Sequence, residues 1–275
     1  MKINLISGAL GAEISGLDLK DSSEENWNVI NQLLLEHKVL FFRNQNISAE
    51  EQINFAKRFG PLEKHVYVKG RDQYPEIIRI IKKPDEKQQW GETWHTDVSY
   101  NPKPTKVIIL RSIKIPPVGG DTMFSNMELA YETLDNDLKE KIKDKKAVHS
   151  SLGAAAFVDA YKGMEGNGNL DEYSNIHPIV RTHPETGKKI LYVNSMYTKR
   201  IEGLDESESN KLLKELFAHQ ERLDLTCRFK WTENAVAIWD NRSTQHQGLT
   251  DFFPGRGLGH ERVMDRIAIE GDQPI

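Results

Sequence analysis

The segment Trp94-His95-Thr96-Asp97-Val98-Ser99-Tyr100 carries the side chains best suited to chemistry. In an extended chain, residues two apart project from the same side, so this spacing predicts His95 and Asp97 side by side with Thr96 turned away. An imidazole nitrogen beside a carboxylate oxygen makes half of a metal site. The best candidate for a third ligand is His246, in the polar segment that follows the strand ending at Trp239: Trp239-Asp-Asn-Arg-Ser-Thr-Gln-His246-Gln-Gly248. Two histidines and one carboxylate leave coordination positions open, the arrangement with which non-haem Fe(II) oxygenases admit a co-substrate and dioxygen. Zinc is the main competitor, but a structural zinc site usually closes with cysteines, and the chain has 1, Cys227. Taken alone, the His-x-Asp spacing fits a satisfied histidine beside a surface aspartate better than a ligand pair.

A second pattern changes that balance. In Arg262-Val-Met-Asp-Arg266, positions four apart on a strand share a face, so both guanidinium groups point one way against the apolar Val263, Ile267 and Ile269. Neighbouring like charges on an inward face are costly unless anions satisfy them. Two carboxylate-like or sulfonate-like ligands would do so, because the guanidinium fork matches them in bidentate fashion. The plain alternative is an exposed strand edge with two solvated arginines.

Positioning these residues takes strands and a few helices. Expected strands are 77–81, 106–111, 122–124, 179–182, 189–193, 226–231, 235–239 and 262–269, separated by turn signals such as Gly119-Gly120 and Pro184-Glu-Thr-Gly187. Ser48-Ala-Glu-Glu51 is a capping box that opens a helix to about Arg58. A similar signal at Ser125-Asn-Met-Glu128 precedes a helical stretch through Leu129, Leu134, Leu138 and Ile142, and another helix spans about 207–222. Short strands with helices kept to one side predict a mainly β chain, a sandwich or jelly roll with flanking helices. No repeat or linker divides residues 1–275, so one domain is expected. The stretch 153–175, with Gly163, Gly166 and Gly168 among polar residues, reads as a lid or variable insertion.

Composition narrows the partners. Of 275 residues, 37 are Lys or Arg and 41 Asp or Glu, a net charge of −4, with no basic block of the kind that neutralises phosphates. Nucleic acid and anionic membranes are therefore not expected partners. Lys139-Glu-Lys-Ile-Lys-Asp-Lys-Lys146 reads as a solvated helix face. No stretch of eighteen apolar residues occurs, the first residues lack a signal-peptide core, and a lone cysteine suits a reducing cytoplasm. Trp90, Trp94, Trp231 and Trp239 read as core, Tyr67 and Tyr197 as pocket residues. His149, His177, His183 and His219 have no partner pattern and read as structural or exposed.

Together, Trp94-His-Thr-Asp97, Gly119-Gly-Asp-Thr122, Val180-Arg-Thr-His-Pro184, the Trp239 to His246 segment and Arg262-Val-Met-Asp-Arg266 resemble the successive motifs of the taurine dioxygenase family. That family comprises Fe(II)- and 2-oxoglutarate-dependent oxygenases, and the resemblance runs from near Gly11 to the C-terminus. It implies a double-stranded β-helix (jelly roll) with His95, Asp97 and His246 as iron ligands. It implies that Arg262, assisted by Thr122, meets the distal carboxylate of 2-oxoglutarate. It places Arg266, His65 and the backbone of Val98 at the substrate, and a homodimer or homotetramer as the assembly. The implied activity is dioxygen-dependent hydroxylation of a small anionic substrate, first a sulfonate such as taurine with release of sulfite and an aldehyde. Alkyl sulfate esters, aryloxy carboxylates and phosphonates are rivals, and a non-catalytic jelly-roll binding protein is a rival of another class. Gly91 stands where taurine enzymes carry an asparagine near the substrate amine. Arg256 and His260 lie in a longer segment after His246, which leaves Arg256 as an alternative to Arg262.

Overall fold

The computed structural model describes every residue except 22, 87–90, 155–156, 159–162 and 252–258. β3 (Val39–Phe42) is buried along its length, with Leu40 and Phe42 on one side and Val39 and Phe41 on the other. A strand apolar on both faces must be covered twice. On the first face, α1 (Glu24–His37) and α2 (Ala49–Ala56) contribute Ile30, Leu34, Ile53 and Phe55 to a core shared with Ile109, Val236 and Ile267. On the second face, Phe41 stacks on Phe229 with ring centroids 4.0 Å apart, and Trp239, Phe124 and Met264 complete the layer.

The two layers are sheets. The larger has the order β1 (Lys2–Leu5), β2 (Ala12–Ser15), β3, β13 (Val236–Asp240), β5 (Val107–Lys114), β15 (Arg262–Ile269), β4 (Ile78–Lys82), antiparallel except where β2 meets β3. The smaller is β12 (Thr226–Phe229), β6 (Thr122–Asn126), β14 (Thr244–Gly248). Sheet facing sheet with helices outside is the expected jelly roll, and its interior lies between β15 and β14. A further three-stranded sheet, β11 (Thr198–Ile201), β7 (Lys146–Ser150), β8 (Ser174–Pro178), joins the pair β9 (Val180–Thr182) and β10 (Lys189–Leu191). Strands of both pack with α3 (Met127–Glu132), α4 (Asn136–Ile142) and α5 (Glu206–Gln220) around Leu138, Ile142, Leu213 and Leu216.

Several local readings need correction. The helical stretch after Ser125 is two helices, capped by Asn126 and Asp135. Ser125 ends up inside β6, where its hydroxyl donates to the Gln220 carbonyl at 2.7 Å. The capping box at Ser48 and Glu51 is present, with both hydrogen bonds made. His246 sits in a strand, β14, although Thr244-Gln-His-Gln-Gly248 has no apolar residue, because its backbone pairs with β6 along the whole length. Parts of the stretch 153–175 lie outside the described residues. Of the rest, Gly163 and Glu165 accept backbone hydrogen bonds from Ile81 and Lys69, which lays this segment along the free edge of β4.

Candidate active site

Backbone pairing brings the two histidines together. The His95 N–H donates to the His246 carbonyl at 3.1 Å and the His246 N–H returns the bond at 2.9 Å, so the imidazoles lie 4.2 Å apart, centroid to centroid. After that bridge the chain does not stay extended. Asp97 opens a turn in which Val98 takes φ +45°. The expected juxtaposition of His95 and Asp97 is found, but a bridge followed by a turn produces it, not the pleat of a strand. Asp97 Oδ1 lies 3.3 Å from His95 Nε2, and Oδ2 lies 3.9 Å from His246 Nε2 and 3.1 Å from Arg266 Nη2. One ligand atom from each of His95, Asp97 and His246 falls within 4.8 Å of the others.

Protonation states suit a cation. His95 Nδ1 is 2.6 Å from the Thr93 carbonyl, which fixes the proton there and turns the Nε2 lone pair toward Asp97. Burial, with His95 adding to it, pushes His246 down to about 3, so it is a neutral donor at ordinary pH. Burial alone would raise Asp97, but Arg266, the His95 hydrogen bond and His246 hold it well below the usual carboxylate range. Arg266 offsets the Asp97 charge from the Oδ2 side, and a cation among the three donors would offset it where Asp97 Oδ1 and the imidazole nitrogens converge. The donor set therefore fits a divalent cation with open positions, as non-haem Fe(II) requires.

On one side of this cluster, Arg262 and Thr122 line the same cavity as His95, Asp97, His246 and Arg266. The face shared by Arg262 and Arg266 on β15 is therefore the inward one. The Arg262 guanidinium lies over the Trp231 ring, 5.9 Å from its centroid, and the Trp231 Nε1–H donates to Thr122 Oγ1 at 2.9 Å. A hydroxyl that accepts from the indole keeps its own proton to donate. Trp231 is part of the core, as expected, and in addition orients both polar groups. Gly91 also lines this cavity, and a Cβ there would meet His95 Cε1 at 3.1 Å with φ at +76°. Close approach to the histidine explains the glycine.

On the other side, Val68, Ile78, Ile80 and Met164 wall a cavity whose polar end is His65, Arg266 and Asp97. His65 Nδ1 accepts the Tyr67 and Val68 amides at 3.1 and 3.2 Å, so a neutral His65 carries its proton on Nε2. Burial, then Arg266, pushes its pKa down to about 3. Val98 is buried beside this cavity with Tyr100 and Tyr197. Tyr197 meets His95 edge-on at 6.2 Å, whereas the Tyr67 hydroxyl is held by Ser151 and the Asp171 carbonyl, away from the lining. Glu63 was not foreseen: burial pushes its carboxyl up to about 7 although Arg266 pulls it back. Its position two residues before His65 was the available signal. Arg256 lies outside the described residues, and His260 does not line either cavity.

His149, His177 and His183 are structural, as expected: each is buried and hydrogen-bonded, to partners distant in sequence. His149 Nδ1 meets the Ser99 hydroxyl at 3.0 Å and His183 Nε2 meets Asp240 Oδ2 at 2.9 Å. Burial, with His177 beside it, pushes His149 down to about 3 from 6.5. The unfolded chain takes up that proton near pH 6.5 and the folded chain near pH 3, so acid favours unfolding across this window. Stability of the metal-free protein should fall as pH drops below about 6.5, with His149 contributing about 1.4 kcal/mol per pH unit across this window. Urea midpoints from pH 7 to pH 4 check this, with His149→Asn expected to flatten the slope by one proton. An unchanged slope in that variant contradicts the assignment.

Comparison with known proteins agrees with this geometry. Residues 2–267 match the model of a family described as taurine catabolism dioxygenase TauD, TfdA family. The chain is 36% identical to an alkylsulfatase of Acinetobacter baylyi over 99% of its own length and 86% of that protein's. It is 32% identical to an alpha-ketoglutarate-dependent sulfate ester dioxygenase of Pseudomonas putida, covering 100% and 91% of the two chains. The crystal structure of a taurine dioxygenase from Burkholderia xenovorans superposes with a TM-score of 0.83 at 34% identity, covering 100% and 92%.

Proposed function

From the premise that this chain belongs to the taurine catabolism dioxygenase TauD, TfdA family, and is an Fe(II)- and 2-oxoglutarate-dependent dioxygenase, we propose that it hydroxylates an aliphatic sulfate ester or sulfonate. In this reading His95 Nε2, His246 and the Asp97 carboxylate would hold Fe(II), which with 2-oxoglutarate would supply the dioxygen-dependent oxidative chemistry of the hydroxylation. The chain's own residues bind, orient and exclude water. Arg262 on Trp231 and the Thr122 hydroxyl take the distal carboxylate of 2-oxoglutarate. Arg266 and the His65 Nε2–H take the anionic head of the substrate, with the Val98 backbone alongside. Met164 closes one wall of the substrate cavity.

The observation that carries the substrate class is the lining of the second cavity. Past Arg266 and His65 its walls are Val68, Ile78, Ile80 and Met164, and the only acidic side chain there is Asp97, among the described residues. Taurine would bring an ammonium group with no carboxylate of its own to meet, whereas an alkyl tail fills apolar walls. An alkyl sulfate hydroxylated at the carbon bearing oxygen collapses to an aldehyde and releases sulfate, and the sulfonate analogue releases sulfite. Membership of a homodimer or homotetramer in the cytoplasm belongs to the same proposal, and its support is the family resemblance and the buried Cys227.

Succinate release across alkyl sulfates of rising chain length, alkanesulfonates and taurine tests this. A C6 sulfate is expected to exceed taurine in kcat/KM by about 100-fold, from roughly 3 kcal/mol of buried methylene groups. Arg266→Ala should keep slow, substrate-independent succinate release at saturating Fe(II) and lose about 100-fold in substrate kcat/KM. Taurine as the preferred substrate, or an Arg266→Ala variant equal to wild type, would overturn the head-group and tail assignment.

A further inference from the structure

One buried amide ties the candidate ligands together. Asn241, fully buried in the turn between β13 and β14, accepts the Asp97 N–H on Oδ1 at 3.0 Å and donates through Nδ2 to the Asp97 carbonyl at 3.2 Å. Its second Nδ2 proton goes to the Thr105 carbonyl at 2.9 Å, and its own N–H to the Lys106 carbonyl at 3.0 Å. Every hydrogen-bonding proton of the side chain is used. The amide orientation follows from the network, since an N–H of Asp97 can face only the oxygen.

The neighbouring residue shows why such a clamp is needed. Val98 is β-branched and sits at φ +45°, a left-handed conformation such residues strongly avoid. A conformation of that kind persists only where its surroundings enforce it. The natural relaxation is a rotation of the peptide joining Asp97 and Val98, which would swing the Asp97 carbonyl and loosen the turn that presents the carboxylate to His95 and His246. Asn241 blocks it by holding both the amide and the carbonyl of Asp97. The far side of the turn is held by Ser99, whose hydroxyl is bonded by His149 Nδ1 and Asn194 Nδ2, each at 3.0 Å.

Asn241 is itself anchored on the segment that leads to His246. Next to it, Arg242 forms a bidentate pair with Asp240 at 2.9 and 2.6 Å, Asp240 is held by His183, and Arg242 Nη1 reaches Glu185 at 2.8 Å. The Thr244 hydroxyl closes the turn on the Asp240 carbonyl at 2.9 Å.

We infer that Asn241 is a positioning residue for the metal centre: it fixes the Asp97 peptide against the strained Val98 turn and locks the segment carrying His95 and Asp97 to the one carrying His246. The inference rests on the reading of Asp97 as a metal ligand. It concerns preorganisation, so its effect lies in metal affinity and not only in stability.

The experiment titrates metal-free full-length protein with Mn(II) alone, following free Mn(II) by electron paramagnetic resonance. Asn241→Ala is expected to weaken binding at least tenfold. Ser112→Ala, which removes the bond from the buried Ser112 hydroxyl to the Thr232 carbonyl and the one it accepts from the Ala235 amide, and which lines neither cavity, should lower the melting temperature and leave Mn(II) affinity within twofold. Asp97→Ala separates the two claims. Retained affinity in Asp97→Ala overturns the ligand reading, whereas lost affinity there with retained affinity in Asn241→Ala overturns only the clamp. Should Asn241→Ala not fold, amide exchange on the unaltered metal-free chain decides. The Asp97 amide is expected to exchange at least 100-fold slower than that of an exposed turn and to change less than threefold on adding Mn(II). Exchange at the exposed-turn rate would overturn the inference.

Discussion

Asp97→Ala is expected to abolish turnover, by about 1000-fold or more at any practical Fe(II) concentration. The substitution removes the one anionic donor of the cluster and leaves two neutral imidazoles to hold a divalent ion. It also leaves Arg266, whose Nη2 is 3.1 Å from Asp97 Oδ2, buried without that counter-ion. Breaking one side of a buried ion pair costs about 3–5 kcal/mol, and here the loss falls on metal affinity and local stability together. Mn(II) titration and succinate release measure the two effects separately. Turnover above a tenth of wild type would mean that Asp97 is a counter-ion for Arg266 and not a ligand.

Arg262→Ala is expected to raise the KM for 2-oxoglutarate by about 100-fold while the KM for substrate changes little. Removing a charge-assisted bidentate interaction from a buried site costs roughly 3 kcal/mol, and each 1.4 kcal/mol is about tenfold. Thr122→Val should cost about tenfold on the same parameter, since a single hydrogen bond to a charged group is removed. Trp231→Phe keeps the ring under the guanidinium but removes the bond to Thr122, so its effect should resemble that of Thr122→Val. A rise in substrate KM in place of the 2-oxoglutarate KM would exchange the roles of Arg262 and Arg266.

The site was legible in the sequence where side-chain chemistry and spacing coincide. His95, Asp97, His246, Arg262 and Arg266 come together as expected, and β15 begins and ends where its alternation placed it. Less was legible where tertiary pairing decides the structure. β14 has no apolar periodicity and is a strand only because β6 is beside it. The turn at Asp97 and Val98 violates local backbone preference and is imposed by Asn241, Ser99 and their partners, which lie far along the chain. The helix α1 has a local sequence signal of its own, Ser23 before Glu24 and Glu25 with Ile30, Leu33 and Leu34 on its buried face. Trp231 and Asn241 look ordinary in sequence because their function is to orient other residues. Whole-chain charge was similarly blind: −4 averages over the surface, while Arg262 and Arg266 concentrate positive charge in one cavity.

The most direct test of the account is an anaerobic titration of the metal-free protein with Fe(II) and then 2-oxoglutarate, followed by admission of dioxygen. A weak visible charge-transfer band saturating at one equivalent of each, absent in Asp97→Ala and shifted to higher 2-oxoglutarate in Arg262→Ala, followed by one equivalent of succinate on oxygenation, is the expected result. No band with the unaltered protein, and no succinate once dioxygen is present, would contradict it.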